Sequence, residues 1–307
     1  MPRIITLTPN PTFDFACEAD FVEANRKLRC YNPKSHPGGG GVNVARAASR
    51  LGGDVLAIFT AGGLYGEALK KLVEAENIAT RIVPVSGDTR IAFHVRNHRE
   101  ENEYRFNLPG AELTADEAKA LIDAVSTEAA AGDYVVGSGS LPPGAPPDLW
   151  ARAARAAKEK NAYFVLDSIS GVKEALREGL YMLRQNKHEY QALSGRDLAW
   201  PGEITDFAKE MIRKGGVERM VISHGGDGSV MATPDGVYRV KAMSVKADSA
   251  VGAGDSFVGA VVTALARGDD NDAALKLGMA AAAATRMSPG TALFDPADVT
   301  QLLSAYK

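Results

Sequence analysis

The sequence VGAGDSFVGA, residues 251–260, joins a glycine-rich turn to the start of an apolar helix. Such a junction often binds anions, because the free backbone N–H groups and the helix dipole both favour negative charge. Asp255 nevertheless stands at the mouth of this junction, where its carboxylate would repel a bound phosphate. Asp255 is therefore either a simple helix cap or a group that takes part in chemistry beside a phosphate.

A second glycine cluster lies near the N-terminus, in the sequence PGGGGVNVARAASRLGG of residues 37–53. Asn43 stands where the following helix is predicted to begin. A flexible turn with an asparagine cap would explain this pattern, but four consecutive glycines are costly in chain entropy. We therefore favour a loop that lets a polar ligand approach the backbone closely.

Around these clusters, short β-rich runs alternate with helical patterns along almost the whole chain. This alternation predicts a single α/β domain of 307 residues, with a mostly parallel sheet that helices cover on both faces. The predicted strands are residues 4–8, 55–61, 134–138, 163–167, 182–185 and 219–223. The predicted helices are residues 42–51, 67–75, 114–130, 147–161, 172–178, 187–193, 203–214, 255–266, 273–285 and 296–305.

Two segments, at about residues 13–36 and 88–108, are β-prone but have no crossover helix between their strands. In the second segment, residues 91–95 and 104–106 flank a polar turn, which predicts a β-hairpin. We expect a small separate sheet that acts as a lid over an active site, as a dimerisation surface, or as both. Its alternation predicts one apolar face that packs against a symmetric copy, built from Phe93, Val95, Tyr104 and Phe106.

Composition and missing motifs exclude several functional classes. The formal net charge of −3 argues against nucleic-acid and membrane-surface partners. The sequence has no Walker P-loop, no GxGxxG between a strand and a helix, no HExxH and no GxSxG, so it lacks the usual anchors of dehydrogenases, metalloenzymes and hydrolases. Two cysteines without a CxxC motif, no signal peptide and no long apolar run together predict a cytoplasmic protein.

The two glycine clusters resemble the two signatures of the ribokinase family of carbohydrate kinases, also called the PfkB family. Further family motifs occur in the right order. TLTPNPTFD at residues 6–14, which ends in Asp14, precedes the first cluster. Between the clusters are SGSLPPG at residues 138–144, Asn186-x-x-Glu189, and Ser223-His224-Gly225. The resemblance implies a ribokinase-like three-layer α/β/α domain with a small β-sheet lid. The opening and SGSLPPG resemble the phosphosugar branch. Gly40, where relatives acting on fructose 1-phosphate or tagatose 6-phosphate often have lysine, favours the minor-type ATP-dependent 6-phosphofructokinases.

This resemblance implies phosphorylation of a hexose phosphate by ATP and Mg²⁺, most simply fructose 6-phosphate to fructose 1,6-bisphosphate. Tagatose-6-phosphate kinase and 1-phosphofructokinase remain alternatives within the branch. A kinase for an unphosphorylated sugar or nucleoside is a second alternative, and a non-catalytic sugar- or nucleotide-binding regulator is a third. The cationic residues of the two inserts speak against the second, and the retained Asp255 and Asn186-x-x-Glu189 speak against the third. The resemblance also implies a homodimer that forms through the lid.

The resemblance assigns a role to each candidate site residue. Asp255 would take the proton of the sugar hydroxyl, while the backbone of Gly252, Ala253 and Gly254 holds the developing phosphate charge. The residues expected to bind the sugar are Asp14, Gly39, Gly40, Asn43 and Ser138, with Lys27, Arg90 and Arg105 as cations for its phosphate. The residues expected to bind the nucleotide are Arg184, Asn186, Ser223, Gly225, Gly228 and Thr285, with Glu189 organising Mg²⁺ through water.

Simpler structural roles compete with each of these assignments. Asn186 and Glu189 match a helix cap and a surface glutamate, and the charged residues of the inserts match solvated strands. The alanine run before Thr285 matches close helix packing. Relatives usually have Lys-Pro where this sequence has Arg184-Gln185, which changes the reach and geometry of the cation at that point.

Overall fold

Across residues 1–306, which the computed structural model describes, the chain forms thirteen strands. They are β1 (Ile4–Thr8), β2 (Thr12–Ala19), β3 (Tyr31–Gly38), β4 (Val55–Ala61), β5 (Ala79–Pro84), β6 (Arg90–Asn97), β7 (Asn102–Asn107), β8 (Tyr134–Ser138), β9 (Tyr163–Asp167), β10 (Leu180–Asn186), β11 (Val217–Ser223), β12 (Ser229–Thr233) and β13 (Gly236–Val240). The large sheet has the order β13-β12-β11-β10-β9-β8-β1-β4-β5 and is parallel except for the two pairs formed by β11, β12 and β13.

Helices cover both faces of the large sheet. They are α1 (Gly40–Arg50), α2 (Gly63–Ala75), α3 (Ala115–Glu128), α4 (Leu149–Glu159), α5 (Val172–Leu176), α6 (Lys187–Ser194), α7 (Gly202–Arg213), α8 (Ala253–Arg267), α9 (Asn271–Met287) and α10 (Pro296–Ser304). One apolar core joins the sheet to α1, α2, α8, α9 and α10, and a second core joins its other face to α3–α7. The predicted three-layer α/β/α fold is confirmed. Within residues 1–306, none of the helices has the length and apolar composition that a bilayer span requires.

The predicted central strands and the helices are present, with ends shifted by a few residues. Three strands of the large sheet were missed: β5 and β13, which are its two edge strands, and β12, which lies between β13 and β11. Only one residue of β5 is buried, so it lacks the apolar run that marks a central strand. The hairpin of β12 and β13 turns at a Pro-Asp-Gly sequence, residues 234–236, a turn signal that the alternation of strands and helices obscured.

The small sheet has the order β3-β2-β6-β7 and contains the predicted hairpin of β6 and β7. Its register places Phe15 beside Phe93, and Phe93 beside Phe106, on one face. Asp14 and Arg105 belong to the alternate positions, so their side chains lie on the opposite face. The predicted division of this sheet into an aromatic face and a polar face is therefore confirmed.

The contact between α1 and α8 brings the two glycine clusters together. A Cβ atom built on Gly259 would lie 2.8 Å from Ala47 Cβ and 2.8 Å from the Val44 carbonyl oxygen. Only glycine permits this close approach, because neither the backbone of α1 nor the buried Ala47 has room to retreat. The approach in turn sets the position of Asn43 relative to Asp255, at the N-terminal ends of the two helices.

We expect Gly259→Ala to lower the free energy of unfolding by about 1–3 kcal/mol, because the added methyl group overpacks the contact between α1 and α8. Gly202→Ala is the matched control: Gly202 begins α7, and a Cβ atom there would meet nothing within 4 Å. The control should be neutral or stabilise by about 0.5–1 kcal/mol through helix propensity. Urea denaturation measures both. Equal stability of the two variants would show that α1 and α8 tolerate a wider separation.

Candidate functional site

Polar side chains end four neighbouring parallel strands of the large sheet. Ser138 ends β8, Asp167 ends β9, Asn186 ends β10 and Ser223 ends β11. Because the strands are parallel and adjacent, these residues lie in a row at one edge of the sheet. Ligands of open α/β sheets bind outside the carboxyl ends of the strands, so this row marks the candidate site.

The glycines of residues 38–41 pack against this row and against the small sheet. A Cβ atom on Gly38 would collide with the Asp14 carboxylate, and one on Gly40 would lie 2.5 Å from Ser138 Oγ. Gly39 has a φ of 102°, a conformation that side chains other than glycine rarely adopt. The run of glycines therefore brings β3, the start of α1 and the end of β8 into contact around one cleft.

Asn43 and Asp255 connect the two glycine clusters directly. Asn43 Nδ2 donates a 2.9 Å hydrogen bond to Asp255 Oδ2. Gly252 caps α8 with a φ of 74°, which turns the chain so that Asp255 lies in the first turn of the helix. Burial, followed by the nearby Asp167 charge, raises the pKa of Asp255 to about 7, although Asn43 and the Arg184 guanidinium both favour its ionised form. Asp255 can therefore exchange a proton near neutral pH.

Asp14 and Arg90 lie side by side where the small sheet joins the core. Burial raises the pKa of Asp14 to about 6, although Thr12 and the Arg90 and Arg46 charges favour the carboxylate. Within residues 1–306, Asp14 Oδ1 is buried without a hydrogen-bond partner. Arg90 donates to the Asn10 and Pro11 carbonyl oxygens at 3.2 and 3.3 Å, which fixes its guanidinium at the base of the lid. Asp14 thus retains an oxygen for a ligand.

Arg184 lies among three acidic side chains at this edge of the sheet, Asp167, Glu189 and Asp255. Its guanidinium donates to Asp167 Oδ1 at 3.0 Å and to Ser223 Oγ at 2.7 Å, and Glu189 Oε2 is 4.0 Å away. A Cβ atom on Gly254 would lie 2.9 Å from Arg184 Nη1, so the guanidinium touches the N-terminal turn of α8. Three carboxylates and one guanidinium therefore meet where the phosphates of a nucleotide would have to bind.

A cavity of about 130 Å³ lies next to Arg184, between α8, α9 and the end of β11. Its lining contains four of the residues predicted to bind the nucleotide, together with the backbone of Gly254 and an apolar wall. The predicted residues are Arg184, Ser223, Gly225 and Gly228, and the wall contains Met243, Phe257, Met279, Ala282 and Ala283. A polar end and an apolar end suit a ligand with a phosphate chain and a flat ring.

Thr285 does not line this cavity, so its predicted nucleotide contact requires correction. Its hydroxyl donates to Ser256 Oγ at 2.8 Å inside the packed pair of α8 and α9, and its side chain is fully buried. The helical period explains the difference, because Ala282 and Arg286 lie on the neighbouring face that lines the cavity.

Asn186 and Glu189 form a capping box at the start of α6. Glu189 Oε2 accepts from the Asn186 backbone N–H at 2.7 Å, and Asn186 Oδ1 accepts from the Glu189 backbone N–H at 3.1 Å. The helix cap, which is the structural alternative to metal binding for these two residues, is therefore present. Burial and Asp167 also raise the pKa of Glu189, and Arg184 opposes this shift. The Glu189 carboxyl group therefore belongs both to the helix cap and to the charged cluster around Arg184 and Asp167.

Lys27 and Arg105 lie apart from the cleft. Lys27 is exposed in the loop between β2 and β3. Arg105 is exposed on β7, where its guanidinium pairs with Glu103 at 2.7 Å on the polar face of the small sheet. The structure therefore brings together Asp14, Asn43, Ser138, Arg184 and Asp255, but leaves these two cations on the lid.

Asp167 is the residue that sequence reasoning missed. It accepts hydrogen bonds from Arg184 at 3.0 Å and from Ser138 Oγ at 3.4 Å, and it is the strongest charged influence on the pKa of Asp255. The available signal was its position, since an aspartate at the carboxyl end of a buried parallel strand points to the ligand edge of the sheet.

The chain is similar to known proteins over most of its length. The model of the family described as "pfkB family carbohydrate kinase" matches residues 10–298. An ATP-dependent 6-phosphofructokinase isozyme 2 from Mycobacterium tuberculosis (strain ATCC 25618 / H37Rv) is 38% identical over 298 residues, covering 97% of this chain and 88% of that protein. A 1-phosphofructokinase from Bacillus subtilis (strain 168) is 32% identical over 311 residues, covering 99% and 98%.

A solved structure extends the similarity to the whole fold. The crystal structure of phosphofructokinase-2 from Escherichia coli in complex with fructose-6-phosphate matches with a TM-score of 0.93 and 35% identity, covering 99% of each chain. The same Escherichia coli protein has also been solved in a tetrameric inhibited form.

We expect the Asp255 carboxyl group to titrate at about pH 7, instead of the pH of about 3.9 that is typical of an exposed aspartate. NMR of the protein with isotope-labelled aspartate measures this, and the resonance lost in Asp255→Asn identifies the group. Asp167→Asn should lower the pKa, since it removes a nearby negative charge and frees Arg184 to approach. A wild-type value below about 5 would contradict the predicted effect of burial.

Proposed function

The chain belongs to the pfkB family of carbohydrate kinases, and we propose that it transfers the γ-phosphoryl group of ATP to fructose 6-phosphate, which gives fructose 1,6-bisphosphate. It is a phosphotransferase with an alcohol acceptor, so the non-catalytic regulator considered above is set aside. We also propose roles for individual residues, given below, and a cytoplasmic location.

The position of Asp255 carries this proposal. On one side it bonds to Asn43, which lies with Ser138 and Asp14 around the cleft beneath the small sheet. On the other side it neighbours Arg184 and Gly254, which line the cavity with a polar and an apolar end. A carboxylate between a polar cleft and a nucleotide-shaped cavity is suited to a sugar hydroxyl that attacks a phosphate.

The proposed reaction needs one proton acceptor. As the sugar hydroxyl oxygen bonds to the γ-phosphorus, the bond from that phosphorus to the bridging oxygen of ADP breaks, and the hydroxyl proton passes to Asp255. A pKa raised to about 7 leaves Asp255 partly ionised at neutral pH, yet basic enough to receive the proton. Backbone N–H groups of residues 252–254, at the N-terminus of α8, would hold the charge that develops on the phosphoryl oxygens.

The cleft offers complementary groups to a phosphosugar. Asp14, Asn43 and Ser138 would bind its hydroxyl groups, with Gly39 and Gly40 supplying close backbone contact. Arg90 lies beside Asp14 and retains N–H groups beyond those that bind the Asn10 and Pro11 carbonyl oxygens, so it would meet the sugar phosphate. Lys27 and Arg105 would join it from the lid. For Arg105 this requires release of Glu103.

The nucleotide would bind in the cavity next to Arg184. We propose that Arg184, Ser223, Gly225 and Gly228 contact its phosphates and ribose, and that Ala282 and Ala283 replace Thr285 as neighbours of the adenine ring. Arg184 Nε is buried without a hydrogen-bond partner within residues 1–306, which leaves a donor for a phosphate oxygen. The three carboxylates around Arg184 would repel a phosphate that arrived without a cation.

Magnesium fits this site only as a partner of the nucleotide. No group of three or more His, Cys, Asp or Glu residues within residues 1–306 is arranged to hold a metal ion. Mg²⁺ usually keeps several waters and binds substrate phosphates with one or two carboxylates. Glu189 would supply such a carboxylate, since it lies 4.0 Å from Arg184, which is proposed to contact the phosphates. When bound, the ion would neutralise phosphate charge, with Asn186 holding Glu189 in place through the capping box.

Within the phosphosugar branch, Gly40 favours fructose 6-phosphate. A Cβ atom at this position would meet Ser138 Oγ at 2.5 Å and the Gly139 backbone nitrogen at 2.7 Å, so the loop cannot carry a lysine without moving. The cation that relatives acting on other phosphosugars often place here is therefore excluded by packing as well as by sequence. Tagatose 6-phosphate, which differs from fructose 6-phosphate at one stereocentre, is the second candidate substrate.

An assay coupled to ADP release tests the proposal with fructose 6-phosphate, fructose 1-phosphate, tagatose 6-phosphate and fructose. We expect the highest kcat/KM for fructose 6-phosphate, and an acid limb near pH 7 that follows ionisation of Asp255. Asp255→Asn keeps the size of the side chain but cannot take a proton, so kcat should fall by roughly 100-fold or more while nucleotide affinity stays similar. Greater activity on fructose, or near-normal turnover of Asp255→Asn, would overturn the proposal.

The aromatic face of the small sheet supports the proposed homodimer. Phe15 is 37% exposed and Phe106 is 53% exposed, although both are large and apolar. The opposite face carries Arg105 and also Asp14, which borders the cleft next to Gly38. A small sheet with one face on the substrate leaves its aromatic face to water unless a second copy covers it.

We expect sedimentation at micromolar concentration to show a dimer that Phe106→Glu weakens by at least tenfold, because it puts a charge in the interface. Asn107→Glu is the matched control, since Asn107 is the next residue of β7, is also exposed and points to the opposite face. A monomeric wild type with full activity, or equal effects of the two substitutions on assembly, would place the interface elsewhere.

A further inference from the structure

Arg46 is among the largest fully buried side chains of the fold, and it lies directly behind the candidate site. Only 1% of its surface is exposed. Its Nε donates to Glu76 Oε1 at 2.7 Å, and its Nη1 donates to the Pro37 carbonyl oxygen at 3.1 Å. It also reaches the Thr291 carbonyl oxygen at 3.4 Å. Arg46 therefore joins α1 to the end of α2, to the end of β3 in the small sheet, and to the loop after α9.

The same guanidinium fixes the orientation of the Asn43 amide. Arg46 Nη1 donates to Asn43 Oδ1 at 3.3 Å, while Asn43 Nδ2 donates to Asp255 Oδ2 at 2.9 Å. An amide has one accepting end and one donating end, whereas a guanidinium only donates and a carboxylate only accepts. A flipped amide would set its oxygen against Asp255 and its N–H groups against Arg46. Both neighbours therefore select the same orientation.

We infer that Arg46 is a positioning residue for the proposed phosphoryl transfer, which holds the Asn43 amide so that its nitrogen orients the Asp255 carboxylate toward the cleft. This inference rests on the proposed function. Arg46 is sealed from solvent and cannot touch a substrate, so it acts through Asn43. The arrangement is a relay of Glu76, Arg46, Asn43 and Asp255, in which each member fixes the next.

The relay predicts a specific change when Arg46 is altered. Asp255 faces Asp167 and Glu189, which disfavour its charge, and Arg184 and Asn43, which favour it. Asn43 is the only uncharged member of this set, so its effect depends on which end of the amide points at Asp255. If Arg46 no longer holds the amide oxygen, the amide is free to rotate, and the carboxylate loses a hydrogen bond that stabilises its ionised form.

The first variant keeps the positive charge, because the Arg46 charge also acts on Asp14 and His36. Arg46→Lys preserves that charge but lacks the fork that reaches Glu76, Pro37 and Asn43 together. Arg50→Lys is the matched control. Arg50 lies one turn further along α1 and binds Glu76 Oε2 at 3.1 Å and the Phe294 carbonyl oxygen at 2.9 Å, but it makes no hydrogen bond to Asn43 within residues 1–306.

We expect Arg46→Lys to raise the pKa of Asp255 by about one pH unit in NMR titration, which lowers kcat/KM at pH 7 about fivefold and moves the acid limb to higher pH. KM for ATP should change less than kcat. Arg50→Lys should leave the pKa and the limb unchanged, even if it lowers stability. In an Asn43→Ala background, Arg46→Lys should have no further effect on Asp255, because the link is already broken.

A second variant covers the case in which Arg46→Lys does not fold. Arg46→Met combined with Glu76→Gln removes both charges of the buried pair without leaving either alone, and it should raise the Asp255 pKa in the same way. An unchanged Asp255 pKa in either variant would overturn the inference, as would equal shifts for Arg46→Lys and Arg50→Lys. If no phosphosugar is phosphorylated, the proposed function fails, whereas the NMR titration still reports on the relay.

Discussion

A 2.9 Å hydrogen bond joins Asn43 to Asp255, two residues that are 212 positions apart in the sequence. It forms only because α1 and α8 approach closely at Gly259, and because Gly252 turns the chain into α8 at the right point. The same approach positions both binding regions, since the cleft beneath the small sheet lies at the start of α1 and the cavity next to Arg184 lies at the start of α8. One helix contact therefore sets the distance between the two candidate ligands.

Charge imposes the second constraint on this region. Asp167, Glu189 and Asp255 surround the guanidinium of Arg184, so carboxylates outnumber cations at this point, although Arg286 also lines the cavity. Burial of unpaired carboxylates is costly, and the raised pKa values of Asp255 and Glu189 are the measure of that cost. A nucleotide phosphate would add to the repulsion unless a cation accompanied it. The magnesium ion proposed to accompany the nucleotide would supply that positive charge.

Sequence patterns predicted the layers, the hairpin of the small sheet and the glycine clusters, because each depends on local periodicity or on a backbone conformation that only glycine adopts. They did not predict Asp167, whose role arises from the side-by-side order of β8, β9 and β10. Thr285 was misplaced by one helical face, a difference that depends on how α9 packs against α8. The Asn186–Glu189 spacing is compatible with a helix cap, which the structure contains, and with a predicted magnesium ligand, so spacing alone could not separate the two roles.

The small sheet links assembly to binding through its two faces. Side chains of a β-strand alternate between its two faces. A strand movement that shifts Phe93 or Phe106 therefore also shifts Arg105 and His94 on the other face. A partner that covers the aromatic face would therefore hold the polar face in one shape, and the loop that carries Lys27 would be held with it. The sheet meets the core at Arg90 and at Pro37, and Pro37 is bound by Arg46, the residue that also holds Asn43. Arg46 thus holds both Pro37, where the small sheet meets the core, and Asn43, which binds Asp255. In the proposed mechanism, this one buried arginine would link the position of the sheet to the orientation of the base.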